Sequence, residues 1–505
     1  MNSFSRKIAA VIMSAAVFAG VFCGCSKNAA AGSTVTVGIT QEPSVLDPHT
    51  VTAAGDREII FNVYEGLYKF DSDGVLNPCL ATGYELSDSL DEYIFTIRKG
   101  VKFHNGKEMT PEDVVFSLSR AAGLLPGQDK APVDDLKVIS EVKISQDDPS
   151  KVAVKLKEKS SELLSYFTVG IIPAGYEDCQ TKPVGTGPFK FDSYNPGQNV
   201  TISKFDGYWG QKAMIDKAVF KICADMDAGM VELTNGSIDI FPHFTTDRAK
   251  QIDQTKFRID SNVSNMPQIF ILNDKVKPFD NVKVREALNY AVNRKDIISV
   301  SSDGNGVELT TAMSPAMGKY YDKSLDGTYS YDPEKAKQLL SEAGFPNGFD
   351  TTVTVCSSYL VHVNAAVEIA AELKKVGVNL KINQVDWATW LDQVYTKRTY
   401  DTTVICVDSA FAPYDVLSRY ASDSSKNFFN YSNARVDELL KLIPTEKDEA
   451  KKVEYYHEIL KEMVKDNNNV YIQDPTSITV VNNRIDGYKT WPMYVVDLST
   501  VKVVK

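Results

Sequence analysis

Two cysteines one residue apart, Cys23 and Cys25, close an uncharged run in "VFCGCSKN". A thiol pair at that spacing could clip a metal, exchange disulfides or mark a processing site. A zinc centre needs four ligands, and no further Cys or His stands near this pair. The other five cysteines, Cys79, Cys179, Cys223, Cys356 and Cys406, form an odd and scattered set without a disulfide framework. They read as small buried thiols. The five histidines, His49, His104, His243, His362 and His457, are far apart, and none belongs to an H-E-x-x-H motif. There is no G-x-S-x-G elbow and no Walker-A loop. "GTGPFKF" (185–191) is glycine-rich, but Pro188 and its strand-like tail point to a tight structural turn rather than a phosphate cradle. "DSDG" (71–74) opens like a calcium loop, yet Thr82 stands where the twelfth-position Glu would be needed, so it reads as a turn. No pair of carboxylates stands out from a solvated surface. These residue types and spacings give no reason to expect catalysis, a cofactor or a bound metal.

The cysteine pair finds its meaning in what precedes it. Arg6 and Lys7 are followed by 17 uncharged residues from Ile8 to Gly24, then by polar "SKNAAAGS". A basic start, an apolar stretch and small residues at its end read as an export signal, although this length also meets the lower limit for a spanning helix. Gly24 before Cys25 resembles the bacterial lipoprotein signal, in which that Cys is lipidated and becomes the mature N-terminus. Phe22 and Cys23 depart from the usual Leu and small residue of that signal. An uncleaved membrane anchor is the alternative. Cleavage would remove two cations and no acid, taking the net charge from −11 to −13. With no basic stripe to displace counterions, nucleic acid is not an expected partner.

The mature chain must supply elements for more than one domain, since 505 residues exceed an ordinary single domain. After a tether at 25–33, "STVTVGIT" alternates as a strand and "EPSVLDPH" breaks it. The spacing of Ile59, Ile60, Val63 and Leu67 predicts a helix face running through "DREIIFNVYEGLYKF". Short strands follow, with one well-marked helix: Thr110 as N-cap, Pro111 at its first position, Asp113 completing a capping-box arrangement. Residues 123–135 read as a loop. After about residue 265 the rhythm becomes long amphipathic helices between strands. Val284, Ala287, Leu288, Ala291 and Val292 share one face. Asp332, Pro333 and Gly344 start and stop another helix. That alternation is α/β.

Several of these stretches, taken in order, resemble the family 5 extracellular solute-binding proteins, the dipeptide, oligopeptide and nickel-complex receptors of ABC importers. They are "EPSVLDPH", "VYEGLYKFDSDG", "FTIRKGVKFHNGKEMTPEDVVFSL", "PVGTGPFKF", "GYWGQKAMIDKAVFKI", "GSIDI", "FDNVKVREALNYAVNRKDII", "YDPEKAKQLLSEAGF" and "NFFNYSN". The resemblance implies an α/β fold of the two-lobed periplasmic-binding-protein type, with a hinge and an extra smaller domain. Lobe one would comprise 34–70, 178–265 and 477–505, the extra domain 71–177, and lobe two 266–476, after a signal at 1–24. It further implies a monomer held by lipid at the outer face of the cell membrane, or in a periplasm if there is an outer membrane. There it would capture peptides in an interlobe cleft and deliver them to permease subunits driven by ATPases. Receptors for a nickel chelate, haem or oligosaccharide, or a peptide sensor that does not transport, are the alternatives.

The resemblance also points to ligand contacts. Glu42 and Ser44 follow the strand "TVGIT", which the family aims at the cleft; the bland alternative is a solvated loop. Trp387 in "QVDWATW" matches a cleft-lining Trp and could equally be core, whereas Trp390 reads as core. "ICVDSAFAPYDVL" covers the segment where peptide-binding relatives carry W-x-x-D-x-x-D-P. Pro413 is kept, but Ala412 and Cys406 replace the second Asp and the Trp, and Ser409 stands at the anchoring position with Asp408 just before it. Asp408, Ser409 and Phe411 are the expected contacts here. An offset of one residue would turn the carboxylate to the other face of a strand, whereas a loop could absorb it.

Overall fold

The computed structural model describes residues 33–407 and 411–504. Cys25 and the leader, together with Asp408 and Ser409, lie outside the described residues. The fold is mixed α/β and organised around one long strand, Asn469–Asn482. Its first part pairs antiparallel with Gln268–Leu272, with Phe270 opposite Val470. Its second part pairs antiparallel with Phe257–Val263, from Phe257 opposite Asn482 to Val263 opposite Thr476.

The rest of the main sheet extends from this strand in two directions. On one side the order runs through Gln268–Leu272, Thr402–Cys406, Asp350–Cys356 and Asn379–Val385. On the other it runs through Ile240–Phe241, Thr34–Ile39, Lys217–Ile222, Asn199–Lys204 and Phe189–Asn195. Each half contains parallel pairs: Thr34–Ile39 with Lys217–Ile222, and Asp350–Cys356 with both Asn379–Val385 and Thr402–Cys406. The helix Leu360–Lys374 connects two of the latter strands, and Gly377, at φ +88°, supplies the reversal between helix and strand. Both faces of a parallel sheet need cover, and separate apolar clusters supply it. Val35, Val37, Phe189 and Phe220 lie in one, Phe270, Leu288, Ile369 and Val404 in another.

Among the described residues the chain passes between these halves around 264–267 and 474–475. Buried polar groups hold that crossing. The Asp474 carboxylate accepts the backbone N–H of Ser264 at 3.2 Å and of Met266 at 3.1 Å, and also the Ser314 hydroxyl. Gln473 donates to Gln268 at 2.8 Å. Backbone that leaves a sheet must find other partners, and one buried carboxylate provides them here.

A separate antiparallel sheet is formed by Ala81–Leu86, Glu92–Ile97, Lys151–Leu156 and Ile139–Ile144. The helix Pro111–Ala121 packs beside it and begins as the sequence indicates: Asp113 accepts the Thr110 N–H at 2.8 Å and the Thr110 hydroxyl at 3.1 Å. Glu65, between the helix Ala54–Ile60 and the strand Tyr68–Phe70, is buried. Glu65 accepts from Thr186 Oγ1 at 2.9 Å, Tyr208 OH at 2.6 Å and Trp209 Nε1 at 2.9 Å. Trp209 carries the Arg98 guanidinium over its ring at 4.3 Å. "GTGPF", "GYWG" and "VYEGLY" therefore meet at one buried carboxylate.

The expected helix through 56–70 is shorter in the structure. It ends at Ile60, as Ala54–Ile60, and a strand begins at Tyr68. The carbonyls of Asn62 and Val63 accept from Phe189 and Gly187 instead of from a further helical turn. That approach requires glycine: a Cβ at Gly185 would stand 2.1 Å from the Val63 oxygen, and one at Gly187 2.5 Å from the Asn62 oxygen. The "GTGPF" stretch is thus the tight structural turn that Pro188 suggested. Val63 and Leu67 are still buried, so the apolar spacing signalled burial correctly and the element wrongly. The helices Val282–Ala291 and Pro333–Glu342 form where expected; Asp332 caps the latter by accepting the Lys335 N–H at 3.0 Å.

Candidate functional site

In open α/β sheets ligands bind outside the carboxyl ends of the strands. The strand Ile240–Phe241 ends in His243 and Phe244, beside the crossing segments 264–266 and 476–478 and the C-terminal loop 491–494. These segments enclose a cavity of about 210 Å³. Phe244, Trp491 and Tyr494 provide its aromatic walls, and Met266 and Met493 its thioethers. The Trp491 ring meets the edge of Phe61 at 5.1 Å and is buried.

His243 is the polar centre of this cavity. Its Nε2 is hydrogen-bonded to the Glu58 carboxylate, which is 3% exposed, and its Nδ1 lies 3.5 Å from Ser477 Oγ. A carboxylate on one ring nitrogen fixes the orientation of a histidine. His243 also adopts a left-handed backbone conformation, φ 55°, which costs a non-glycine residue energy and is found preferentially at ligand sites. His243 lies in no sequence motif, and only tertiary structure joins it to Glu58 and Tyr494.

A second surface stands at the carboxyl ends of Asp350–Cys356, Asn379–Val385 and Thr402–Cys406. Here Tyr359 and Trp387 are 44% and 42% exposed and meet edge to face at 5.7 Å. Trp387 stacks on Trp390 at 5.2 Å, nearly parallel, and Trp390 is buried with its Nε1 donating to Thr403 at 3.0 Å. Beneath them His362 links Gln268, 3.1 Å from its Nδ1, to the Cys406 N–H, 3.4 Å from its Nε2. Burial pushes His362 down to about 4, so it is a neutral structural link. Cys79, Cys179, Cys223 and Cys356 are buried thiols, and burial pushes the partly exposed Cys406 upward.

The other expected contacts are distributed differently. Glu42 is exposed but accepts from Tyr194 OH at 2.7 Å and the Gly197 N–H at 2.6 Å, and these bonds hold its carboxyl below the ordinary range. Ser44 donates from its N–H and its hydroxyl to Asp56, at 2.8 and 3.0 Å. Both residues brace loops of their own half, and neither lines the cavity. Phe411, expected at the ligand, is only 5% exposed and packs on Phe70 at 5.1 Å, its ring against the Gly74 turn. That turn is the "DSDG" stretch, where Asp71 accepts the N–H groups of Asp73 and Val75.

The model of the bacterial extracellular solute-binding proteins, family 5, matches residues 75–428. The chain belongs to this family. The solute-binding protein is 30% identical over 458 residues to the dipeptide-binding protein of Escherichia coli, covering 82% of this chain and 84% of the relative. It is 28% identical over 495 residues to the oligopeptide-binding protein AppA of Bacillus subtilis, covering 91% and 90%. Among solved structures, the periplasmic binding protein DppA of Helicobacter pylori in complex with the peptide STSA superposes with a TM-score of 0.72 at 25% identity, covering 94% of this chain and 98% of that one. The two-lobed fold of the family is therefore the fold of this chain, and its setting is extracytoplasmic. Among the described residues no helix is long and apolar enough to cross a membrane.

Proposed function

We propose that the protein captures peptides between its two lobes and hands them to the permease of an ABC importer, without chemical conversion. The observation that carries this reading is the 30% identity to a dipeptide-binding protein across more than four-fifths of both chains. The cavity lies at the crossing between the sheet halves, with Ser264 and Met266 of one crossing segment and Thr476 just past the other in its wall, where a hinge motion would act on a bound ligand. The partition inferred from the resemblance, with lobe one at 34–70, 178–265 and 477–505, the extra domain at 71–177 and lobe two at 266–476, belongs to the same proposal. So do the lipid anchor at Cys25, a monomeric state and an amine anchor at Asp408 or Ser409. In this mode peptide backbone pairs with protein strands, and pockets accept the side chains.

The test is thermal unfolding with and without a panel of di- to nonapeptides. A peptide at 100 times its Kd should add about 2.7 kcal/mol to the unfolding free energy, and mass spectrometry should recover it intact. Hydrolysis that persists through repurification, or stabilisation by sugars or metal chelates in place of peptides, would overturn the reading.

A further inference from the structure

The cavity at His243 has a chemical bias beyond what peptide capture requires. At about 210 Å³ it is smaller than the roughly 300–1,000 Å³ of sites that enclose a whole small ligand, so its scale is that of one ligand group. The faces of Phe244, Trp491 and Tyr494 are negative at their centres. No Lys, Arg, Asp or Glu lines the cavity among the described residues, yet two buried acidic side chains hydrogen-bond residues of its wall. Glu58 holds His243 through a hydrogen bond to its Nε2. Asp474 holds the backbone of Ser264 and Met266, both of which line the cavity. Lys69, the cation near this group of rings, is already placed over Phe61 at 4.1 Å.

We infer that this cavity is a subsite for a cationic group of the ligand, an ammonium or guanidinium held against Trp491 and Tyr494 with the Glu58 carboxylate behind His243. Aromatic faces attract such cations through the ring quadrupole. Thioethers on the remaining wall adapt to the differing shapes of lysine and arginine stems. The inference rests on the peptide reading and adds selectivity to it. Tyr494 is 41% exposed, with its ring 4.9 Å from that of His243, and Glu58→Gln keeps an acceptor for His243 while removing the carboxylate.

The experiment is calorimetric titration at about pH 8 with tripeptides carrying one lysine at each position in turn, each compared with its norleucine counterpart, and with N-acetylated versions. At one position lysine should bind at least tenfold more tightly than norleucine, and Tyr494→Leu and Glu58→Gln should each reduce that preference below threefold. If the preference instead belongs to the free α-amine, acetylation will remove tenfold or more of the affinity in the wild type and less than threefold in both variants; the cationic subsite then stands with a different ligand group in it. The inference is overturned if the peptides bind but neither comparison depends on Tyr494 or Glu58. Failure of every peptide to bind would overturn the peptide reading itself.

Discussion

Glu65 is where three separate sequence motifs are joined, and removing its carboxylate should loosen the joint measurably. Thr186, Tyr208 and Trp209 donate to it at 2.6–2.9 Å, and it is 2% exposed. A hydrogen bond to a charged group contributes about 1.5–3 kcal/mol. Glu65→Ala leaves three donors facing a hole, and even at the lower end of that range the loss is about 4–5 kcal/mol. Glu65→Gln is milder, because the amide oxygen can serve Trp209 and Thr186 while the Tyr208 hydroxyl turns to accept from the amide nitrogen. About 1–2 kcal/mol is expected there. At about 2 °C per kcal/mol for a cooperative unit of this size, scanning calorimetry should find Tm lower by about 8–10 °C for Glu65→Ala and by about 2–4 °C for Glu65→Gln. Loss of the indole anchor should also free Arg98 from Trp209 and raise the emission wavelength of that tryptophan. A shift below about 2 °C for Glu65→Ala, or a glutamine variant less stable than the alanine one, would refute the reasoning.

Three further outcomes are expected. Cys25→Ala should release the protein to the medium or leave uncleaved precursor, because two acyl chains anchor stably where one does not; normal processing and retention, with Cys23→Ala failing instead, would contradict it. Asp408→Asn should weaken peptide binding by roughly a hundredfold, the effect of breaking a buried charge pair worth about 3 kcal/mol, and acetylated and free peptides binding the wild type equally would rule out this amine anchor. Burial holds the Glu372 carboxyl up at about 7 against an ordinary 4.5, so between those values the folded chain keeps a proton that the unfolded chain has lost, and stability falls as pH rises through that window. At about 1.36 kcal/mol per unit, Glu372→Gln should be up to about 3 kcal/mol more stable than wild type above pH 7 and equal to it near pH 4. Urea titrations across pH check this, and a pH-independent difference would contradict it.

Features set by neighbours in the chain were legible in the sequence. The starts at Thr110–Pro111 and Asp332–Pro333 depend on a cap and a fixed φ within four residues, and both helices begin there. The helix after Ala54 was misjudged at its end because what stops it, the backbone of 185–189 approaching Asn62 and Val63, lies more than 120 residues away. The packing of Phe411 on Phe70 and the Gly74 turn has no local signal for the same kind of reason, because these partners are distant in sequence. Trp387 and Trp390 fall near the same helical face, and the structure buries Trp390, the one read as core. The His243 cavity left no local signal. Glu58, His243, Met266, Ser477 and Tyr494 come from five separate segments, and no spacing rule connects them.

Native mass spectrometry of the protein purified from cells grown in rich medium, without unfolding, addresses peptide capture most directly. A ligand enclosed between two lobes travels with the protein through purification. The expected spectrum contains complexes heavier than the free chain by masses that, after release and fragmentation, read as short amino-acid sequences, with lysine or arginine enriched. A bound oligosaccharide, haem or metal chelate in place of peptide would contradict the proposed function.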